Sequence, residues 1–201
     1  MKILYLLIFL ISFNCYATST DSPDFSNIKQ NELSWNEWIS HIKKELKKEK
    51  FKDSSFTLID SLSFNPKVID LDRKQPEFKL TFDQYLEKVL NDKKRRQIVK
   101  KFKENKILLE KIQSKYEVDS KIITSLWGIE TSFGKYTGKF NILRSLASLS
   151  YDGRRTNFFY KEFKNSLKIL EQGHFKSTEF LGSWAGAFGQ TQFMPSTFIK
   201  Y

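Results

Sequence analysis

From Ser34 onward the apolar residues recur at three- and four-residue intervals, and nowhere do they alternate with polar ones over a strand-length run. That periodicity confines the chain to an all-α fold, or very nearly so. Ser34-Trp35-Asn36-Glu37 is a capping box, in which a hydroxyl and a carboxylate satisfy the free N–H groups of a helix start. Trp35, Trp38, Ile39, Ile42 and Leu46 then share one helix face. Thr81-Phe82-Asp83-Gln84 is a second box ahead of Tyr85, Leu86 and Val89. Residues 91–115 read as one long basic helix with Ile98, Val99, Phe102, Leu109 and Ile112 as its apolar positions. Asp119 caps the next helix, which is expected to run to about Phe133 and stop at Gly134. Residues 141–150 form a short helix and 155–172 a longer one, ended by Gly173. No internal repeat is present.

Ahead of these helices, residues 1–17 carry Lys2, an apolar run from Ile3 to Phe13, and small residues at Cys15 and Ala17. A positive start, a short apolar core and small residues before a cut site make an export signal. Eleven apolar residues are too few to cross a bilayer, which needs ~20. The chain is thus expected to be exported to the periplasm or cell envelope. Lipid attachment at Cys15 is less favoured, because Ser12-Phe13-Asn14 lacks the Leu-small-small pattern that precedes a lipidated cysteine. Residues 18–32 read as a polar, flexible lead-in, 33–118 as an N-terminal helical region and 119–201 as the lobe carrying the chemistry.

Composition removes whole classes of function. One cysteine and two histidines, His41 and His174, leave no basis for a disulfide framework, a Cys/His metal site or a histidine-based triad, so no metal and no cofactor are expected. The formal charge of +11 comes from 28 Lys but only 6 Arg, spread along helices, whereas base readers and phosphate clamps lean on the arginine fork. No nucleic-acid partner is therefore expected. A diffuse positive field is compatible with an acidic polymer or with peripheral association at an anionic membrane. Gly182-Ser183-Trp184-Ala185-Gly186-Ala187-Phe188-Gly189 is rich in small residues but lacks the lysine and the preceding strand of a phosphate loop. Nothing in the sequence bears on oligomeric state.

Two segments carry candidate chemistry. In the helix after Asp119, Ile123, Leu126, Trp127 and Glu130 fall at i, i+3, i+4 and i+7, so a carboxylate occupies a slot of an apolar stripe. Desolvation there favours the protonated acid, as a general acid requires. The competing reading is a helix-end glutamate bonded to a neighbouring loop. Residues 182–196 combine glycines for tight turns, the amides of Gln190 and Gln192, and the flat faces of Trp184, Phe188 and Phe193. That mixture suits a carbohydrate, with hydroxyls at its edges and C–H faces to stack, and it equally suits a structural loop between helices.

Taken together, the two segments resemble a known family. Trp127-Gly128-Ile129-Glu130-Thr131-Ser132-Phe133-Gly134 resembles the catalytic segment of the membrane-bound lytic murein transglycosylase B family. Gly182-Ser183-Trp184-Ala185-Gly186-Ala187-Phe188-Gly189-Gln190-Thr191-Gln192-Phe193-Met194-Pro195-Ser196 is similar to its second signature. Leu146 to Ser150, Arg154-Arg155 and Val68 to Phe78 also resemble family positions. The resemblance implies a lysozyme-like helical domain that cleaves the MurNAc-GlcNAc bond of peptidoglycan glycan strands. It implies that Glu130 alone performs both proton transfers, yielding a 1,6-anhydro ring, and that Ser183, Gln192, Arg154, Arg155, Phe193 and Met194 meet substrate. Asp152, Glu162, Glu171 and Glu179 are expected on the solvated surface. Family members continue well past Met194-Pro195-Ser196, so the resemblance implies a lobe incomplete at its C-terminus, with uncovered apolar faces after Ala147. The alternative reading is a non-catalytic murein-binding remnant.

Overall fold

The computed structural model describes residues 33–74 and 81–201. The export signal, the lead-in and Gln75-Pro76-Glu77-Phe78 lie outside the described residues. The chain forms α1 (Trp35–Lys48), α2 (Asp53–Asp60), α3 (Pro66–Arg73), α4 (Phe82–Val89), α5 (Asp92–Glu104), α6 (Lys106–Tyr116) and α7 (Ser120–Thr131). There follow β1 (Phe140–Asn141), α8 (Ile142–Tyr151), α9 (Thr156–Glu171), β2 (Leu181–Gly182) and α10 (Pro195–Lys200). The all-α expectation holds but for β1 and β2, which pair antiparallel, Phe140 opposite Gly182 and Asn141 opposite Leu181. Two residues per strand are too few to leave a period in the sequence.

Both capping boxes form, with the Ser34 and Thr81 hydroxyls accepting the Glu37 and Gln84 N–H groups. Asp119 and Asn141 cap α7 and α8 through the N–H groups of Lys121 and Arg144. The single helix expected over 91–115 is two. It breaks at Asn105, whose side-chain amide donates to the Lys101 carbonyl at 2.9 Å.

Trp38, Ile42 and Leu46 of α1 meet Ile59 of α2, Val68 of α3, and Phe159, Phe163 and Leu167 of α9 around α8. From Ile142 to Ser150 every α8 side chain except Arg144 is buried, as expected of a helix enclosed on all sides. Arg144 escapes sideways to donate to the carbonyls of Ser63 (2.8 Å) and Phe64 (3.1 Å). Each large apolar side chain removed from water in this core contributes about 1.5–3 kcal/mol.

Packing crosses the 118/119 boundary expected from sequence: α2 and α3 pack on α9 and α8, while α7 packs on α5 and α6. The apolar faces expected to be uncovered after Ala147 are covered on α8 and α9. The exposed large apolar side chains concentrate between Phe82 and Tyr136. The reason is connectivity: α3 packs on α8, while both α2 and α10 pack on α9.

Candidate active site

The α7 helix meets its neighbours through small residues. Ser120, Thr124, Gly128 and Thr131 are buried, and a Cβ on Gly128 would lie 2.8 Å from Ile98 of α5. This corrects the stripe read from sequence: Leu126 is 54% exposed, and Glu130 faces solvent with it. Ile123 and Trp127 are half-buried. Protein surrounding one side of the Glu130 carboxyl nonetheless raises its pKa above the ordinary carboxylate range, with desolvation the sole cause and no charged group contributing.

Immediately after α7 the backbone turns through three left-handed residues, Ser132 (φ 51°), Phe133 (φ 65°) and Gly134 (φ 80°). Non-glycine residues in this region are strained, and such strain gathers at functional sites. The Lys94 ammonium donates to the Gly128 carbonyl at 3.0 Å and to the Ser132 hydroxyl, placing a cation at the negative end of the α7 dipole.

The loop over residues 182–194 lies beside this helix end. It is stitched by reciprocal bonds between Phe188 and Phe193 at 3.0 Å and by a Ser183-to-Ala187 backbone bond at 2.7 Å. Phe188 is not a sugar platform. It is 5% exposed and packs on Phe175, Phe180 and Phe198, anchoring the loop to the core. Phe193, 41% exposed, is the open ring, while Trp184 and Met194 are half-buried against the core. Gln192 (φ 51°) directs its amide N–H groups to the carbonyls of Thr137 (3.1 Å) and Gly189 (3.0 Å), so that its carbonyl oxygen is the side-chain atom left to accept. The Ser183 hydroxyl accepts the Ala187 N–H at 3.0 Å and keeps its own proton to donate.

Arg154 and Arg155 stand at the α8–α9 turn. Arg154 grips the buried carboxylate of Asp72 at 2.7 Å, tying that turn to α3, and Arg155 lies over the rings of Phe158 and Phe159, 4.9 Å from each. Arg154 therefore has a structural duty that its sequence position does not reveal.

The four acids expected in solvent are mostly engaged. Asp152 pairs with Arg73 at 2.7 Å, and Glu171 accepts the Lys52 N–H (2.7 Å) and the Ser55 hydroxyl (2.6 Å) at the start of α2. Glu179 alone is an exposed surface residue. The largest correction is Glu162, which is 2% exposed and accepts the Ser196 N–H at 2.8 Å. It thereby holds the first turn of α10, where the 182–194 loop ends. Glu162→Ala is expected to destabilise the protein by about 1–3 kcal/mol, because a half-buried N–H loses its acceptor and a cavity opens. Glu162→Gln, which keeps an acceptor oxygen, should recover most of that loss in a thermal melt.

Glu130 makes a separate, pH-dependent prediction. Its raised pKa means the folded state holds this proton more tightly than the unfolded chain, so its contribution to stability falls as pH rises from the ordinary carboxylate range through the raised value. Glu130→Gln removes that penalty. The variant should melt with the wild type at about pH 4 and slightly above it at about pH 7.5. A variant less stable than wild type at both values would contradict the assignment.

With this geometry in hand, comparison with known proteins is direct. Residues 34–201 match the family described as the transglycosylase SLT domain, and the chain belongs to it. It is 38% identical over 87 residues to the membrane-bound lytic murein transglycosylase B of Escherichia coli (strain K12), covering 43% of this chain and 24% of that protein. SltB3 from Pseudomonas aeruginosa, solved in complex with NAG-anhNAM-pentapeptide, superposes with a TM-score of 0.76 at 33% identity, over 84% of this chain and 45% of that one. The Escherichia coli lytic transglycosylase Slt35 in complex with bulgecin A gives 0.69 at 26% identity, over 89% of this chain and 55% of that one. The lysozyme-like helical fold expected from the resemblance is therefore present. The chain spans about a quarter to about half the length of these relatives.

Proposed function

We propose that this chain is a peptidoglycan lytic transglycosylase in which Glu130 is the one acid–base group. The observation carrying the reading is the pairing of a carboxyl at the end of α7, its pKa raised by desolvation, with a bonded loop of glycines, amides and one open aromatic ring. The relatives, one of them solved in complex with NAG-anhNAM-pentapeptide, support it. In the proposed reaction Glu130 gives its proton to the glycosidic oxygen as the bond to MurNAc C1 breaks. The resulting carboxylate takes the proton of the MurNAc C6 hydroxyl while that oxygen bonds to C1. The acid is restored, the product is a 1,6-anhydro sugar, and water is not consumed. Two-carboxylate glycosidases need a second acid flanking the bond; Asp152, Glu162 and Glu171 are each engaged in holding the fold.

Ser183 donates to the sugar, Gln192 accepts through its carbonyl, Phe193 stacks and Met194 lines the bed. Arg154 and Arg155 meet the strand further along. The chain acts in the cell envelope after cleavage behind Ala17, so mass spectrometry of the envelope fraction should find a mature start at Thr18. An intact Met1 in the cytosol would count against export. The function is tested by incubating the purified chain with murein sacculi and measuring both pelleted protein and soluble muropeptides. Release of muropeptides supports catalysis. Pelleting of a folded chain without any release would favour a murein-binding module instead.

A further inference from the structure

The α7 helix owes little of its position to the apolar core. Among the described residues between 81 and 139, only Leu109 is a buried apolar side chain, and it lies outside the main cluster. What joins α7 to the 182–194 loop is polar and centres on one residue. The Gln190 side-chain oxygen accepts the Trp127 indole N–H at 2.7 Å, and its backbone carbonyl accepts the Thr131 hydroxyl at 2.7 Å. Thr131 is 1% exposed, and its hydroxyl also accepts the Gly134 N–H at 2.9 Å. Gly134 completes the fit, because a Cβ there would stand 2.8 Å from Gln190 Cδ. Trp127, Thr131 and Gly134 bracket Glu130 at three residues before, one after and four after.

We infer that Gln190 is a positioning residue, a clamp that fixes the Glu130 helix end against the loop bearing Ser183, Gln192 and Phe193. The inference rests on the proposed transglycosylase reading for its catalytic consequence, but not for its physical content. The β1–β2 pairing and the Gln192–Thr137 bond tie the loop to the segment after α7. At α7 itself, the distance between proton donor and sugar bed is set by two hydrogen bonds and one close contact, all at Gln190. A misplacement of about 1 Å at such a site costs up to ~10²-fold in rate. A residue that only stabilised the fold would act elsewhere: its loss would lower the melting temperature and reduce activity in proportion to unfolded protein.

The test uses the full chain with Gln190→Met, which keeps the side-chain length but removes the acceptor, and Gln190→Glu, which keeps an acceptor at the same reach. The first readout is independent of activity: hydrogen exchange of the Trp127 indole N–H by NMR, its resonance identified by its loss in Trp127→Phe. Faster exchange is expected in Gln190→Met, with protection restored in Gln190→Glu and a melting temperature within about 4 °C of wild type. The second readout is turnover of murein. Gln190→Met should lose ~10–100-fold in kcat with KM little changed. Unchanged indole exchange in Gln190→Met overturns the clamp, as does a loss that tracks the unfolded fraction. If the folded wild type releases nothing from murein, the functional reading fails while indole exchange still decides the clamp.

Discussion

Glu130→Gln is expected to abolish turnover, by at least ~10²-fold, while leaving murein binding intact. The amide keeps the shape of the acid and a hydrogen-bond donor but has no proton to transfer to the leaving oxygen. Among the described residues, the other acids near the signatures are Asp152, Glu162, Glu171 and Glu179, three of them holding the fold. The loss should fall on kcat with KM nearly unchanged, because the group acts in the transition state rather than in ground-state binding. Glu179→Gln is the control for mere loss of a negative charge, being exposed on the surface. Murein pelleting, measured beside release of soluble products, separates the two effects. A Glu130→Gln chain retaining a tenth or more of wild-type turnover would remove the residue from the mechanism.

The second large effect is on folding. Gly138 has φ +98°, and a Cβ there would lie 2.0 Å from the carbonyl carbon and oxygen of Gly182. That contact is backbone on backbone, so neither side can rotate away. It lies where β1 and β2 cross-link the segment after α7 to the start of the 182–194 loop. Gly138→Ala should therefore cost at least about 3 kcal/mol, combining left-handed strain with displacement of a strand pair. Gly173 provides the comparison, with φ +78° and open space around it. Gly173→Ala should cost only the conformational term, about 1–2 kcal/mol. Equal melting temperatures for the two variants would show that the β1–β2 seam does not hold the site.

How much of this was legible in the sequence follows the range of the forces involved. Helix starts were readable because a cap bonds within three residues: Ser34, Thr81, Asp119 and Asn141 all act where they stand. The α1 face was readable because Trp38, Ile39, Ile42 and Leu46 fill one core. The α7 face was misread because its buried line is made of small residues rather than large ones. Ser120, Thr124, Gly128 and Thr131 at i, i+4, i+8 and i+11 were nevertheless a signal available in the chain. The same spacing argument that singled out Glu130 fits Glu162 better: Phe159, Glu162, Phe163, Ser166 and Leu167 form one stripe, and all are buried. The grip of Arg154 on Asp72, 82 residues away, and the clamp of Gln190 on Trp127, 63 residues away, had no local signature. The two signature segments lie side by side in the fold, joined by bonds that neither segment shows on its own. Of the two readings open for residues 182–196, Gln190 and Phe188 follow the structural one: the first bonds α7 and the second packs the core.

The central claim is that one carboxyl serves as both acid and base, with the sugar's own C6 hydroxyl as nucleophile. The chemical ends of the products test it most directly. Purified sacculi digested with the wild-type chain, with soluble muropeptides analysed by mass spectrometry, should yield fragments ending in 1,6-anhydromuramic acid, lighter by one water than hydrolysis products and resistant to borohydride reduction. Fragments ending in reducible muramic acid would mean that water attacks C1, and the single-carboxyl mechanism at Glu130 would be wrong.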